Sequence, residues 1–124
     1  MPLITRSQAR THRMHGVAFV SYAAPSQGSG ELCAWRLEVP AGAAGAEHAI
    51  TREEVFLGLE GVLELRVDGD TWRLEPGDAA VVGAGSLLNV ANPGPGTGAA
   101  WVSTSTGLRA VTAEGAWISP PWTH

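Results

Sequence analysis

The sequence has no lysine among its 124 residues, and it has a single cysteine. Without lysine, no side chain can form a Schiff base with a carbonyl substrate, which excludes that class of enzyme. Because Cys33 is alone, an intramolecular disulfide is impossible. Cys33 stands among alternating apolar residues, and this context favours a small buried side chain over a nucleophile.

Long apolar runs and clusters of positive charge are also missing. No run approaches the roughly 20 residues of a membrane-spanning helix, and residues 1–13 lack the apolar centre of a signal peptide. The eight basic residues, all arginine, are scattered along the chain, and the formal net charge is −4. A phosphate-binding surface needs clustered cations. We therefore expect a cytoplasmic protein that binds neither membranes nor nucleic acid.

What the sequence does contain is short apolar segments between turn residues, most clearly from Gly42 to Asn92. In residues 62–67, VLELRV, apolar and polar side chains alternate as in a half-buried strand, and Asp68 and Gly69 follow as a hairpin turn. The chain has no sustained helical periodicity, so we predict one all-β domain, an antiparallel jelly-roll barrel. The predicted strands are 16–23, 31–39, 53–59, 62–67, 71–75, 79–82, 86–92, 98–106 and 108–112.

The two ends of the chain are less regular. Residues 1–15 include His12 and His15 and lack a sustained apolar stripe, so we interpret them as an N-terminal arm before a barrel domain of residues 16–124. The C-terminal tail, residues 114–124, contains Trp117 and Trp122. Because a segment this aromatic is unfavourable in water, we expect it to pack on the barrel or on a second subunit.

The spacing of glycines and polar residues from position 42 to position 92 resembles that of the cupins. The first cupin motif is G-x5-H-x-H-x3-E-x6-G, and the second is G-x5-P-x-G-x2-H-x3-N. The residues that match are Gly42, His48, Glu54 and Gly61 in the first motif and Gly77, Gly85 and Asn92 in the second. The resemblance covers about half the chain directly and implies a small cupin-like jelly-roll barrel.

The departures from these motifs fall on the positions that bind metal in cupins. Ile50 and Leu88 replace two of the four ligands, which leaves His48 and Glu54 as the residual ligand positions. A catalytic transition-metal site normally has at least three protein ligands, so we expect no metal cofactor. The alternative is one divalent transition metal, such as iron, manganese, nickel or zinc, with a third ligand recruited from His12, His15, Asn89 or Asn92.

His48 and Glu54 are the candidate catalytic residues. An imidazole and a carboxyl group within hydrogen-bond reach in an apolar pocket shift each other's pKa, so they form a candidate acid–base pair. Metal-free cupins include isomerases and epimerases that use such pairs, and the resemblance extends that role to these residues. The alternative is an inherited hydrogen-bonded pair without chemistry. The candidate pocket residues are Trp35, Ile50, Arg52, Phe56, Leu88 and Trp101.

Two hypotheses follow for the function. The first is a cupin that binds a small, partly apolar organic molecule in its barrel, because Leu88 makes the pocket more apolar than a histidine would. The second is an enzyme on a small organic substrate. It would be a metal-free isomerase or cyclase that uses His48 and Glu54, or a metal-dependent oxygenase with a recruited third ligand. Arg52 would bind an acidic group of the ligand or form a surface ion pair. The resemblance also implies a homodimer.

Overall fold

The computed structural model describes residues 2–124, which form two six-stranded antiparallel sheets and three short 3-10 helices. The all-β jelly-roll prediction is confirmed. The 3-10 helices are Arg6–Gln8, Pro25–Gln27 and Pro121–Thr123. The strands are β1 (Arg10–Met14), β2 (Val17–Ala23), β3 (Leu32–Val39), β4 (His48–Ile50), β5 (Glu54–Glu60), β6 (Leu63–Val67), β7 (Asp70–Leu74), β8 (Ala79–Val82), β9 (Leu87–Ala91), β10 (Gly98–Ser105), β11 (Ala110–Thr112) and β12 (Trp117–Ile118).

The first sheet has the order β1-β2-β3-β10-β5-β8, and the second has the order β12-β11-β4-β9-β6-β7. Strand β10 lies inside the first sheet and pairs with β3 from Gly98 to Ser105 on one side and with β5 on the other. Strands that are distant in sequence therefore become neighbours. This pairing brings residue 33, residue 54 and residue 104 onto adjacent strands.

Side chains on the facing surfaces of the two sheets fill the interior of the barrel. Along β3 every second residue is buried and the intervening residues are more exposed, as the alternation in the sequence predicts. The buried residues of β3 are Cys33, Trp35, Leu37 and Val39, none more than 4% exposed. Leu65 in the second sheet and Val102 in the first are completely buried, which places both in this shared core.

The turns use residues that accept a positive φ. Asp68 and Gly69 have φ values of 50° and 88°, so the hairpin between β6 and β7 has the tight turn that the sequence predicts. Gly61 has a φ of 61°, and a Cβ atom there would lie 2.6 Å from the carbonyl oxygen of Thr97. A glycine is therefore required at this motif position.

Asn92, the last residue of the second motif, ties three segments of backbone together. Its side-chain amide donates to the carbonyl oxygens of Val39 and Gly96, at 3.0 and 2.8 Å, and its Oδ1 accepts a hydrogen bond from the Gly94 amide at 3.1 Å. The residue is 1% exposed. Because both polar atoms of this side chain are already paired, Asn92 has a structural role rather than that of a metal ligand.

Three short strands lie outside the predicted segments. Residues 10–14, assigned from the sequence to an N-terminal arm, form β1, because His15 and Gly16 adopt positive φ values and close a hairpin with β2. The first sheet therefore begins at Arg10 rather than at residue 16. Strands β4 and β12 have three and two residues. Segments this short are below the length at which an alternating pattern is recognisable.

The end of the chain packs against the inside of the first sheet. Trp122 is 7% exposed, and its ring stacks on Phe19 with centroids 3.6 Å apart. It also meets Trp35 edge-on at 6.4 Å. By contrast, Trp117 is 63% exposed, with the guanidinium of Arg109 5.4 Å from its ring centre. In residues 2–124 no helix has the length and apolar character needed to cross a membrane.

Candidate functional site

Pairing within the first sheet aligns two rows of side chains across the interior of the barrel. Directly opposed residues of neighbouring strands project from the same face of a sheet. The first row consists of Cys33, Thr104, Glu54 and Val82, and the second of Trp35, Val102, Phe56 and Ala80. Every residue of both rows is buried. Glu54 is therefore an acidic side chain in the wall of an otherwise mostly apolar interior.

The carboxyl group of Glu54 has no compensating partner. The residue is 5% exposed, and within the described chain no hydrogen bond or ion pair involves its side chain. Burial disfavours the ionised form and raises the pKa of Glu54 to about 8. At neutral pH the side chain is therefore mainly a neutral carboxylic acid, which can donate a hydrogen bond as well as accept one.

His48 lies on the other sheet, in β4. It is directly opposite Leu88 of β9 and shares a strand face with Ile50, and both of these apolar residues are buried, so His48 belongs to the interior face. Its Nδ1 is 2.9 Å from the carbonyl oxygen of Ala46. Because a carbonyl only accepts, Nδ1 carries the proton, and Nε2 of the neutral ring is left as an acceptor.

His48 and Glu54 thus face one interior from two different sheets, without direct contact. No hydrogen bond joins them, and none of the ion pairs within residues 2–124 includes either residue. An acid–base pair acting on a molecule held between the two groups does not require that contact. Their catalytic roles stay a prediction.

The structure brings four of the six predicted pocket residues together. Trp35, Ile50, Phe56 and Leu88 belong to one buried apolar cluster, and none is more than 2% exposed. They line the interior around Glu54 but also fill it as packed core. Ile50 and Leu88 contribute one wall and the two aromatic residues contribute the other.

Trp101 and Arg52 lie outside this interior. Trp101 is on the face of β10 opposite that of Val102, and it contacts Tyr22 on the outer surface with ring centroids 5.5 Å apart. Arg52 is exposed, and its guanidinium lies against Gly107, where an added Cβ would be 3.0 Å from Nη2. Register therefore corrects the prediction for Trp101. Arg52 belongs to the turn before β5, and its side chain is exposed rather than in the interior.

Thr104 is a site residue that the sequence analysis treated as an ordinary strand residue. It is 4% exposed and directly opposite both Cys33 and Glu54. Its hydroxyl donates to the carbonyl oxygen of Glu53 at 2.7 Å, which holds the backbone at the start of β5. The sequence feature that could have identified Thr104 is the alternation in residues 98–106, which places Thr104 on the same strand face as Val102.

The residues present do not fit a resident transition metal. The two remaining donors, His48 and Glu54, face buried Ile50 and Leu88 where the other two cupin ligands would stand. No group of three histidine, cysteine, aspartate or glutamate side chains in residues 2–124 is arranged to hold a metal ion. His12 lies on β1, and three strands separate β1 from β5, so His12 does not complete a site with Glu54. We therefore derive no chemical step through a metal.

A groove on the surface lies elsewhere. It has a volume of about 550 Å³ and lies between the turn at Gly61 and the loop Pro93–Thr97, with Glu64 and Arg73 at its side. Gly61 follows the end of β5 that is remote from Glu54. None of the predicted catalytic or pocket residues lines this groove. The groove is therefore separate from the interior site.

The family is shown by comparison with known sequences. The family model for the cupin domain matches residues 35–105, which is more than half of the chain. The protein belongs to the cupin family. Its matched region includes the second row of interior side chains, the first row except Cys33, and the strand that carries His48. Among curated proteins, none matches the sequence of this cupin.

Solved structures share the fold of this cupin at low sequence identity. The polyketide cyclase RemF from Streptomyces resistomycificus has a TM-score of 0.74 at 19% identity, over 85% of this chain and 79% of the cyclase. An RmlC-like cupin from Shewanella frigidimarina has a TM-score of 0.70 at 22% identity, over 82% and 86% of the two chains. A salicylate 1,2-dioxygenase from Pseudoaminobacter salicylatoxidans has a TM-score of 0.64 at 23% identity, over 72% and 25%. Identities this low show a common fold alone.

The buried Glu54 predicts an unusual dependence of stability on pH. The carboxyl ionises near its ordinary pKa of 4.5 in the unfolded chain and near 8 in the folded protein. Between these values the folded protein holds a proton that the unfolded chain has lost. The free energy of unfolding should therefore fall as pH rises through this window, by at most about 1.4 kcal/mol per pH unit, and then level off.

The free energy of unfolding of Glu54→Gln should not show this decrease with pH, because glutamine keeps the shape of the side chain and cannot ionise. The measurement is urea unfolding of wild type and variant across the window. The control is Glu53→Gln, an exposed neighbour that should retain the wild-type slope. If the free energies of unfolding of wild type and Glu54→Gln differed by the same amount at every pH, the raised pKa of Glu54 would be contradicted.

The donor set also predicts the metal content of the purified protein. Protein prepared without chelator should contain iron, manganese, nickel and zinc far below stoichiometric amounts, and His48→Ala should leave that content unchanged. Elemental analysis of both proteins is the measurement. A near-stoichiometric metal that disappears in His48→Ala would reveal a third ligand and overturn this prediction.

Proposed function

We propose that this cupin binds a small, partly apolar organic molecule in the interior of its barrel, between Glu54 and His48, without a resident metal. The observation that carries the proposal is the Glu54 side chain, which is 5% exposed and has no hydrogen-bond partner within the described chain. Removing most of a carboxyl group from water without giving it a partner is costly. A ligand that supplies an oxygen or nitrogen acceptor would remove this cost.

The groups around Glu54 indicate the chemistry of such a ligand. The neutral carboxylic acid donates to an acceptor such as a carbonyl oxygen, and Nε2 of His48 accepts from a hydroxyl or amide hydrogen. Phe56, Ile50 and Leu88 contact the remainder of the molecule, so that part is apolar. A small carbonyl compound with an aliphatic or aromatic body satisfies all three conditions.

The raised pKa of Glu54 favours an acid–base enzyme as a second candidate function. A carboxylic acid that is still protonated near neutral pH is suited to act as a general acid, and the free Nε2 of His48 is suited to accept a proton. The two groups lie on opposite sheets, so a bound substrate would lie between them. The similarity in fold to a polyketide cyclase is compatible with this candidate.

One experiment tests binding and distinguishes the two functions. Small ketones and lactones, with acetophenone as the reference compound, are titrated into the protein and followed by ligand-observed NMR. Binding should weaken as pH rises above about 8, because ionised Glu54 no longer donates. Glu54→Gln should bind without this pH dependence, because its amide still donates. Glu54→Ala should bind roughly tenfold more weakly.

The same spectra report conversion of a bound compound. An unchanged compound supports a binding protein, whereas conversion that stops in Glu54→Gln supports an acid-catalysed enzyme, because an amide cannot transfer the proton. An affinity that Glu54→Ala leaves unchanged would contradict both functions at this site.

We also propose that the cupin forms a homodimer through the outer face of the first sheet. Leu57 and Val81 are 40% and 58% exposed, on neighbouring strands, and Trp101 is directly opposite Leu57. An apolar patch of this kind can pair with its own copy about a twofold axis. The cytoplasmic location and the absence of nucleic-acid and membrane partners stay predictions from the sequence.

Leu57→Arg should convert a dimer to a monomer, because it places a charge in the middle of this patch. The matched control is Leu87→Arg, which changes a residue that is 46% exposed on the other sheet. Sedimentation velocity gives the mass of each protein. A wild-type monomer, or equal loss of dimer in both variants, would contradict the proposed interface.

A further inference from the structure

The segment Ser119–His124 covers the same end of the barrel interior that holds Glu54. The thiol of Cys33 donates to the carbonyl oxygen of Thr123 at 3.5 Å. Cys33 and Glu54 are both directly opposite Thr104 in the first row, so two strand spacings of about 4.8 Å separate them. The segment therefore stands over the row of side chains that contains the proposed ligand-binding group.

Few hydrogen bonds hold this segment in place. The hydroxyl of Ser21 donates to the carbonyl oxygen of Trp122 at 3.0 Å, and the backbone amide of Ser26 donates to the carbonyl oxygen of His124 at 2.8 Å. Together with the hydrogen bond from Cys33, these three are the hydrogen bonds that the rest of the described chain makes to Ser119–His124. The segment follows β12 and pairs with neither sheet. It can leave the barrel without breaking a strand pair.

The side chain of Trp122 anchors the segment, but the indole N–H groups of Trp122 and Trp35 lack hydrogen-bond acceptors. The ring stacks on Phe19 and meets Trp35 edge-on. Both indole nitrogens, Nε1 of Trp35 and Nε1 of Trp122, are buried without an acceptor. A buried N–H group without a partner disfavours the closed arrangement. Both groups gain an acceptor if the segment opens to water or if a ligand oxygen enters beside them.

We propose that Ser119–His124 is a lid that controls access of ligands to Glu54, and that Trp122 is the residue that latches it. The proposal rests on the proposed function in one respect, since it takes the covered interior as the ligand site. The opening itself is a property of the empty protein. It can be measured without any ligand, so a failed ligand screen would leave it standing.

Cys33 is a built-in reporter of the opening, because it is the protein's single cysteine and lies beneath Thr123 with 0% exposure. The probe is 4,4′-dithiodipyridine, a neutral disulfide that exchanges with the thiol and releases an absorbing thiopyridone. Burial raises the pKa of the Cys33 thiol, so all proteins are compared at one pH. Each rate is divided by that of the same protein unfolded in urea.

Trp122→Ala should increase the labelling rate by about tenfold or more, because removing the ring shifts the local opening equilibrium. Trp122→Phe should restore most of the protection, because it keeps an aromatic ring against Phe19. Trp117→Ala, an exposed tryptophan of the preceding strand, should label as slowly as wild type. Leu74→Ala is a control for global unfolding. It destabilises the core at the other sheet, so its labelling rate shows how fast Cys33 reacts when the whole protein unfolds.

The wild type alone gives a test that does not depend on any variant folding. Local opening exposes little surface, so its labelling rate should be nearly independent of urea at low urea concentrations. A rate that rises with the full urea dependence of global unfolding would overturn the lid. So would a Trp122→Ala rate no faster than that of Leu74→Ala at equal stability.

Discussion

The alignment of β10 between β3 and β5 is the constraint on which the rest of the site depends. One strand with every second residue buried sets the position of two rows of side chains on three neighbouring strands. A shift of one residue would move Glu54 to the outside of the barrel and expose Val102. Because Val102 and Cys33 are completely buried, such a shift would remove two core residues from the apolar interior, so burial holds Glu54 inside.

Burial without a neighbouring cation explains the protonation state of Glu54. In a cupin with a complete ligand set, a metal cation would lie near this carboxyl and favour its ionised form. Here the corresponding positions are occupied by Ile50 and Leu88, which contribute no charge, and burial is the cause of the raised pKa of Glu54.

Much of the fold was predictable from the sequence, because alternation and turn residues are local signals. Residues 62–67 and the Asp68-Gly69 turn show both signals, and the structure has a strand and a tight hairpin there. The face of each strand was less predictable. Trp101 was predicted to line the pocket, whereas its register with Leu57 places it on the outer surface.

The parts of the site that the sequence did not reveal depend on long-range contacts. Thr104 is adjacent to Glu54 only because residues 50 positions apart in the chain occupy neighbouring strands. Likewise, the three-residue strand β4 is too short to show a pattern, and its position follows from pairing with β9 and β11. Composition indicated that Trp122 would pack somewhere, but its partners Phe19 and Trp35 lie on β2 and β3, far away in the sequence.

The proposed ligand site lies among packed core side chains, and this would affect which ligands bind. Core side chains fill the space around Glu54, so an entering molecule must displace packed groups rather than occupy an open pocket. The least costly displacement is at the segment held by three hydrogen bonds and one ring, not at the paired strands. A ligand that opens this segment also supplies acceptors for Glu54 and for the unpaired indole groups. Affinity should therefore depend more on the hydrogen-bond acceptors of the ligand than on the shape of its apolar body.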